Sequence, residues 1–562
     1  KYAGEDARPT SQKELWGWYA YGLAAEVFAI SGVGSFLPVT LEQSAREMGV
    51  LRSDHSVPCT AAKKDARSLL LPRADTSSTD NQCVIHIFGS EVNSASFAMY
   101  TFSVAVFFQA ITLVSISAIA DHGNYRKKLL LIFAWIGSAS SMLFIFIVPQ
   151  LYMMASVLVI IGVTCLGSSF VLLNSFLPLL VANHPSINTE PGRSGLDEES
   201  VGLATAGMPN DEPGTNEHVP NDDERFSRAF RSPSASAYAE AEKAAPELQL
   251  SNQISAKGVG IGYISAVSVQ IVSIGILILF SKMAPSISKT TFPVRLILFL
   301  VGAWWACFTV PTALWLRPRP GPPLASQRSN VWYKTIFIYI AFAWMSLWRT
   351  MKIAAKLKQA FRFLIAWFLL SDAIATIQGT AILFARTELQ METAAVALIS
   401  ILATGGGIAG AACWPIISRR FRWNANHTVI ACLLVFEVIP VYGSLGFLPF
   451  IKAWGVGGIQ QPYEIFPLAF IHGFAMGGIS SYCRSLFGIF IPPGSEAAFY
   501  ALYAFTDKGS SILGPAIVGR IVDTTGSIRS SFPFLAVLNL TPLPLIWMMN
   551  TDSGRSDALE MA

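Results

Sequence analysis

An acid and a base stand side by side in an apolar stretch near the C-terminus. The segment "AFTDKGSSILGP" (504–515) places Asp507 next to Lys508 among residues that are otherwise apolar from about 495 to 523. A charge at the centre of a bilayer costs at least about 2.5–3.5 kcal/mol unless it pairs, is neutralised or faces the protein interior. Neighbouring residues point about 100° apart on a helix, so we expect the two side chains to have different partners. We predict that Lys508 pairs with Asp372 or Glu26, and that Asp507 turns toward a neighbouring helix.

Glu26 and Asp372 are candidate partners because they lie at a similar depth in other apolar segments. A helix rises about 1.5 Å per residue through a hydrocarbon core of about 30 Å. By this measure Asp507 lies about 18 Å into its segment, near the middle, and Glu26 and Asp372 lie at comparable depth. Such residues can form a substrate or proton path, or an ion-pair network that only stabilises the protein. The residues alone leave both alternatives open.

The composition indicates that a membrane surrounds these charges. Of the 562 residues, 52% are hydrophobic and 14% are charged, whereas roughly a quarter are charged in soluble proteins. The apolar runs are too long for strands, so we predict an all-α polytopic membrane protein whose partner is the lipid bilayer. The net charge of +4 and the absence of a basic stripe argue against a nucleic-acid partner. The twelve predicted spans are 16–41, 95–120, 129–148, 152–182, 256–281, 294–316, 361–386, 392–416, 426–449, 464–491, 496–522 and 531–550.

Three stretches between these spans are too polar or too short to cross a bilayer. Residues 42–94 form a polar loop, and 183–255 are rich in Pro, Gly, Ser and acids, which predicts disorder. Residues 317–360 are basic and contain a predicted amphipathic helix on the membrane surface. The chain therefore divides into five parts: 1–182 with the tail and spans 1–4, 183–255, 256–316 with spans 5–6, 317–360, and 361–562 with spans 7–12.

Basic residues in the short loops predict the orientation. The clusters at 121–128, 317–362 and 418–424 all fall on one side, which the positive-inside rule makes cytosolic. Both termini and 183–255 are then cytosolic, and loop 42–94 is lumenal. Cys59 and Cys83 share that loop, so they form either a disulfide or two free thiols.

The motifs that would indicate an enzyme or a pump are absent from the sequence. The seven cysteines show no metal-ligand spacing, and neither a P-loop nor a GxSxG elbow occurs. The glycines of "KGVGIGY" (257–263) and of "GGGIAG" (405–410) lie within membrane spans, where they favour close helix packing. We expect no catalytic activity, no metal and no cofactor.

The twelve spans divide six and six at the basic connection, as in the major facilitator architecture. Span 1 reads "YGLAAEVFAISG" and span 7 reads "WFLLSDAIATIQG", which share an aromatic residue, an acid and a following glycine. The loop "DHGNYRKK" (121–128) resembles the loop signature of that superfamily, although its basic residues are shifted. The resemblance implies a cytosolic gate at Asp121 and Arg126. The plain positive-inside rule explains the basic residues equally well but not Asp121.

Longer blocks of sequence resemble one family within that superfamily. They are residues 2–47, "KGVGIGYISAVSVQI" (257–271), "FLLSDAIATIQGTAILFA" (368–385) and "PPGSEAAFYALYAFTDKGSSILGPAIVGRIVD" (492–523). These blocks are similar to the fungal autophagy-related protein 22 family. The resemblance implies a vacuolar membrane transporter that exports neutral amino acids to the cytosol after autophagic degradation. Proton coupling is left open. The alternatives are a transporter of another small solute and a non-transporting receptor or scaffold.

The resemblance also implies which residues line the path, since spans 1, 4, 7 and 10 surround the central cavity in this fold. A zwitterionic amino acid needs one cationic and one anionic contact beside an apolar pocket. Lys508 or Arg484 could bind the carboxylate, and Glu26 or Asp372 the ammonium group. We expect the protein to be a monomer, with a substrate or proton path along Glu26, Asn174, Asp372, Gln378, His472, Arg484 and Lys508.

Overall fold

The computed structural model describes residue 6 and residues 8–59, 83–87, 89–120, 125–188, 235–284, 290–320, 332–492 and 496–561. Its first half is helical apart from one small sheet. The helices are α1 (Gln12–Met48, π-helical over Phe28–Phe36), α2 (Ser94–Ala120), α3 (Tyr125–Met142), α4 (Tyr152–Asn174), the short α5 (Leu177–Ala182) and α6 (Pro185–Asn188), α7 (Ala235–Met283) and α8 (Phe292–Trp315).

The described residues of the second half form helices and the turns between them. The helices are α9 (Trp332–Lys356), α10 (Lys358–Thr387), α11 (Thr393–Phe421), α12 (Ala425–Leu445), α13 (Pro449–Trp454), α14 (Ile465–Ile489), α15 (Glu496–Ser510), α16 (Leu513–Thr525), α17 (Phe532–Leu540), α18 (Pro542–Trp547) and α19 (Thr551–Glu560).

Each half is a bundle, and two seams join the bundles. In the first half α1 packs against α7 and α8, and α4 packs against α2 and α3; in the second, α14 packs against α11 and α12, and α10 against α15 and α16. One seam is formed by α7 with α11, and the other by α2 with α15 and α16. If the halves are repeats, span 2 corresponds to span 8 and span 5 to span 11, so the two seams are equivalent.

Glycines allow close helix contacts where the sequence predicted them, except at Gly260 and Gly405, where nothing lies within 4 Å of a Cβ. A side chain at Gly406 or Gly410 of α11 would collide with the backbone of α14 at Phe470 or Phe474. Small residues let two helix backbones approach closely, which favours association in lipid. In the first half, Gly258 of α7 faces Trp18 of α1, and the side chain of Glu26 lies against Gly262.

The structure corrects several predicted boundaries. Eleven segments in the described part of the chain are long and apolar enough to cross a membrane, and the first extends to Met48 instead of 41. The predicted eleventh span is broken at Ser511 and Ile512 into α15 and α16, each shorter than a membrane span. The twelve-helix count therefore stays a prediction.

The prediction of disorder over 183–255 is wrong at its C-terminal end. Residues 235–255 belong to α7, because "ASAYAEAEKAAPELQL" consists mostly of strong helix formers. Residues 183–188 are also described and include a short helix. The remainder of the predicted disordered segment, 189–234, lies outside the described residues.

The predicted polar loop contains a small sheet that the sequence analysis did not anticipate. Strands β1 (Val50–Leu51), β2 (Cys83–Ile87) and β3 (Ser90–Asn93) pair antiparallel in that order. Cys59 and Cys83 form a disulfide, with Cα atoms 5.8 Å apart. The sheet is thereby fastened next to the ends of α1 and α2.

The connection between the halves contains the helix that the sequence predicted, α9. It packs against α2 of the first half and against α10 and α15 of the second, and Trp344 Nε1 lies 3.3 Å from Ser115 Oγ of α2. Before α9, the buried Arg319 forms an ion pair with the buried Glu14, its Nε 2.8 Å from Oε1. The connection is therefore fastened to the start of α1. The position of α9 on a membrane surface stays a prediction.

Candidate functional site

The break between α15 and α16 lies in the stretch that carries Asp507 and Lys508. A helix end leaves backbone carbonyls without intrahelical partners, and these need other donors when they are buried. The carbonyl of Asp507 in the last turn of α15 accepts hydrogen bonds from the hydroxyls of Ser371 (2.8 Å) and Ser510 (3.0 Å). Ser371 of α10 thus donates a hydrogen bond to one of the backbone carbonyls at the C-terminal end of α15.

Asp372, the residue after Ser371 in α10, contacts the other side of the break. The backbone N–H of Gly514, in the first turn of α16, donates to Asp372 Oδ1 at 3.0 Å. Asp372 is only 4% exposed, and its negative charge lies at the positive end of the α16 dipole. A Cβ atom at Gly514 would meet Thr376 Oγ1 and Asp372 Oδ1, so the close approach requires glycine. Ser371 and Asp372 together hold the two ends of the broken span.

The predicted partner of Lys508 was wrong. Its Nζ lies 2.9 Å from Asp507 Oδ2, so the two sequence neighbours form an ion pair with each other. The 100° rule describes where Cβ atoms point, whereas the long lysine side chain can fold back toward its neighbour. Lys508 also lies in the last turn of α15, where a positive charge complements the helix dipole. Asp507 contacts the neighbouring helix as predicted, since its Oδ1 accepts from Ser371 at 2.7 Å.

Lys508 is the accessible member of this cluster. Its side chain is 47% exposed and that of Asp507 is 25% exposed, although they lie in the middle of the α15–α16 segment. Glu26 of the other half is close enough to interact electrostatically with Lys508. The carboxylate of Glu26 makes no hydrogen bond or ion pair with the described residues. The break thus presents a cation near a carboxyl group of the opposite half.

Among the described residues, no hydrogen bond or ion pair connects the remaining predicted path residues to Asp507 or Lys508. Gln378 is exposed on α10, and its Nε2 lies 3.3 Å from where a Cβ at Gly34 would be. Asn174 is the exposed last residue of α4, and Arg484 is exposed on α14. The ring of His472 packs against Phe436, with centroids 5.3 Å apart. That packing is typical of a histidine in a helix core.

The two predicted gate residues are only partly described. Asp121 lies outside the described residues. Arg126 is buried in the first turn of α3, and its guanidinium lies 5.6 Å from the ring centroid of Phe176 in the same half. The gate role of both residues therefore stays a prediction.

The sequence analysis missed a contact between the halves at the end of α16. Asp523 accepts hydrogen bonds from the Asn93 backbone N–H (2.9 Å) and the Tyr100 hydroxyl (2.7 Å), and its carbonyl accepts from Arg52 Nη1 (3.2 Å). Ser96 Oγ donates to the Gly519 carbonyl at 3.0 Å. We call this set the Asp523 clamp. The only signal in the sequence was an acid at the end of an apolar span.

Two helical bundles joined by two seams define the class of the protein. It is an all-α polytopic membrane protein of the major facilitator fold. The inward-open xylose transporter XylE from E. coli aligns over 96% of this chain and 94% of its own, with a TM-score of 0.50 and 10% identity. A D-xylose–proton symporter aligns over 96% and 98%, with a TM-score of 0.50 and 11% identity. At these identities the likeness concerns the fold alone.

The chain belongs to the "Vacuole effluxer Atg22 like" family, whose description matches residues 10–559. It is 57% identical over 572 residues to autophagy-related protein 22-2 of Neosartorya fischeri, covering 100% of this chain and 92% of the relative. It is 54% identical over 569 residues to autophagy-related protein 22 of Botryotinia fuckeliana, covering 100% and 93%. The family resemblance expected from the sequence is confirmed.

Proposed function

We propose that the protein lies in the vacuolar membrane with both termini in the cytosol, and exports neutral amino acids from the lumen by alternating access. The observation that carries this proposal is the exposed Lys508–Asp507 pair at the break of a membrane span, opposite Glu26. The family description "vacuole effluxer" supports the location and the direction. The names of the relatives, autophagy-related protein 22, support an origin of the substrate in autophagic degradation.

The chemistry of a neutral amino acid fits this cluster. The substrate carboxylate would replace Asp507 at the Nζ of Lys508, and its ammonium group would bind Glu26. Lys508 would keep an anionic partner, Glu26 would gain a cationic partner that it lacks among the described residues, and the displaced Asp507 would keep its hydrogen bond from Ser371. Because Glu26 and Lys508 belong to different halves, the bound substrate would link the halves and favour their movement together. Protonation of a carboxylate in this cluster is the candidate step for proton coupling.

Alternating access also requires that one end of the molecule open. The Asp523 clamp joins α2 and the sheet to α16 across the seam, so this end is closed in the structure. If the sheet is lumenal, opening the clamp would admit substrate from the lumen. The functional unit is proposed to be the monomer, because one chain supplies both the lysine and the carboxyl group that the substrate needs.

The deciding experiment measures uptake into sealed vesicles that contain the purified protein. Leucine, tyrosine, arginine and glucose are compared with and without a pH gradient. We expect saturable transport of leucine and tyrosine, and loss of that transport in Glu26→Gln and in Lys508→Met at unchanged abundance. Glu437→Gln is the matched control, because Glu437 is also an intramembrane acid but accepts a hydrogen bond from Asn539 within its own half.

Each other outcome identifies an alternative. Transport of glucose but of no amino acid would make the protein a transporter of another solute. Absence of transport of every tested solute, with intact vesicles and folded protein, would favour a receptor or scaffold. Equal loss of transport in Glu26→Gln and in Glu437→Gln would mean that intramembrane acids act through stability and not through a substrate site.

A further inference from the structure

Three potential metal ligands meet on the small sheet, away from the proposed transport site. His86 and Glu91 are directly opposite each other on β2 and β3, so their side chains lie on the same face. His55, in the turn after β1, places its Nε2 3.3 Å from Glu91 Oε1. One nitrogen or oxygen atom of each residue lies within 4.8 Å of the corresponding atoms of the other two.

This geometry is close to what a tetrahedral metal ion requires. Ligand atoms about 2.0–2.1 Å from zinc stand about 3.3–3.5 Å from one another, so the His55–Glu91 distance already fits. Small rotations of the two imidazoles, whose rings meet edge to face with centroids 5.4 Å apart, would bring in the third ligand. The exposure also leaves room for water as a fourth ligand, as in zinc sites with three protein ligands.

We propose that His55, His86 and Glu91 bind one divalent transition-metal ion. Two imidazoles and one carboxylate form a set of borderline ligands that suits zinc, and also copper or nickel, better than magnesium or calcium. The competing interpretation is a surface ion pair of Glu91 with Arg52. The Nε of Arg52 lies 3.9 Å from Glu91 Oε2, and this distance is longer than a hydrogen bond. That contact uses the second carboxylate oxygen, so Oε1 can still bind a metal.

The local structure holds the three ligands in place before a metal binds. The Cys59–Cys83 disulfide joins the segment that follows His55 to the strand that carries His86. The turn at His55 is fixed by Asp54, whose carboxylate accepts hydrogen bonds from the Ser56 hydroxyl (2.6 Å) and backbone N–H (2.9 Å). Preorganised ligands lose less conformational entropy on binding.

The test titrates the full-length protein, purified without a polyhistidine tag, with Zn²⁺ in an isothermal calorimeter. We expect one Zn²⁺ per chain, and an affinity lowered at least about tenfold in His86→Ala and in Glu91→Gln. His427→Ala is the matched control, because His427 is an exposed histidine in the first turn of α12. The control should bind Zn²⁺ as the wild type does.

A second measurement distinguishes a built site from nonspecific binding. Co²⁺ bound by two histidines and a carboxylate should give visible absorption that saturates at one equivalent and disappears in His55→Ala. Glu91→Gln keeps the side-chain size, so it replaces His86→Ala if the latter fails to fold. Unchanged Zn²⁺ affinity in the sheet variants, an equal loss in His427→Ala, or no saturable binding to the wild type would overturn the proposal.

Discussion

Glu26 and Asp372 occupy equivalent positions in the sequences of spans 1 and 7, but their environments differ. Asp372 is 4% exposed and accepts a hydrogen bond from the Gly514 N–H in the first turn of α16, so it connects two helices of its own half. Glu26 lies against Gly262 of α7 and makes no hydrogen bond with the described residues. The comparison teaches that a repeated sequence pattern preserves the position of an acid but not its task. Because Glu26 has no such partner among the described residues, it is the acid that we propose for the substrate site.

The largest effect is expected from removing the acceptor at Asp372. Asp372→Ala leaves the buried Gly514 N–H without its partner, which should lower the free energy of unfolding by about 1–3 kcal/mol. Asp372→Asn keeps an oxygen that can accept the same hydrogen bond, so it should remain closer to the wild type. Thermal unfolding of both variants in detergent, together with abundance in cells, checks this order. If Asp372→Asn is as unstable as Asp372→Ala, the charge and not the hydrogen bond is what matters.

The next effect concerns the close approach of α16 to Asp372. Gly514→Ala would push Cβ into Thr376 and Asp372, and overpacking of this kind costs about 1–3 kcal/mol. Gly509→Ala is the matched control in the same stretch, because its nearest atoms are those of the Phe505 ring at 3.9 Å. It should be neutral, or stabilising by up to about 1 kcal/mol, since alanine favours the helix. Melting temperatures of the two variants should therefore shift in opposite directions or by clearly different amounts.

The smallest effect on stability, but a specific one on transport, is expected beside Glu26. A Cβ at Gly262 would lie 2.5 Å from Glu26 Cγ and 3.0 Å from Glu26 Cβ, so the Glu26 side chain must shift, whereas nothing lies within 4 Å of a Cβ at Gly260. We expect Gly262→Ala to remain folded and to transport leucine more slowly, and Gly260→Ala to resemble the wild type. Vesicle uptake rates per folded molecule measure the difference. Equal rates in the two variants would show that the position of Glu26 is not critical.

The sequence predicted those parts of the fold that depend on long apolar runs. The spans, the division into halves and the glycine contacts of Gly406 and Gly410 follow from hydropathy and from small-residue spacing. The break before Gly514 was not predicted, because "GSSILG" is apolar enough to continue a span. The break is stabilised by hydrogen bonds to Ser371 and Asp372, which are distant in sequence. A short-range rule gave the wrong partner for Lys508, because it ignores how far a lysine side chain reaches.

The sheet and the Asp523 clamp were missed for a related reason. The strands are two to five residues long, and short strands carry little periodicity. Asp523 gains its importance from Asn93 and Tyr100 of the other half. Contacts between halves depend on the relative placement of two bundles, which hydropathy does not contain. The clustering of His55, His86 and Glu91 is likewise a product of the strand register.

The π-helical segment Phe28–Phe36 changes how the side chains at the two ends of span 1 are oriented relative to each other. A π-helix closes its hydrogen bonds over five residues instead of four, so each residue turns through a smaller angle than in an α-helix. Glu26 precedes this segment, while Ser35 within it contacts Ser400 of the other half. Side chains before and after this segment therefore point in directions, around the helix axis, that differ from those of a continuous α-helix. Deleting one residue between Glu26 and Ser35 would let the wide π-helical turns tighten into a regular α-helix. The side chain of Ser35, and with it the contact to Ser400, would then point in a different direction relative to Glu26, although none of these three residues is changed.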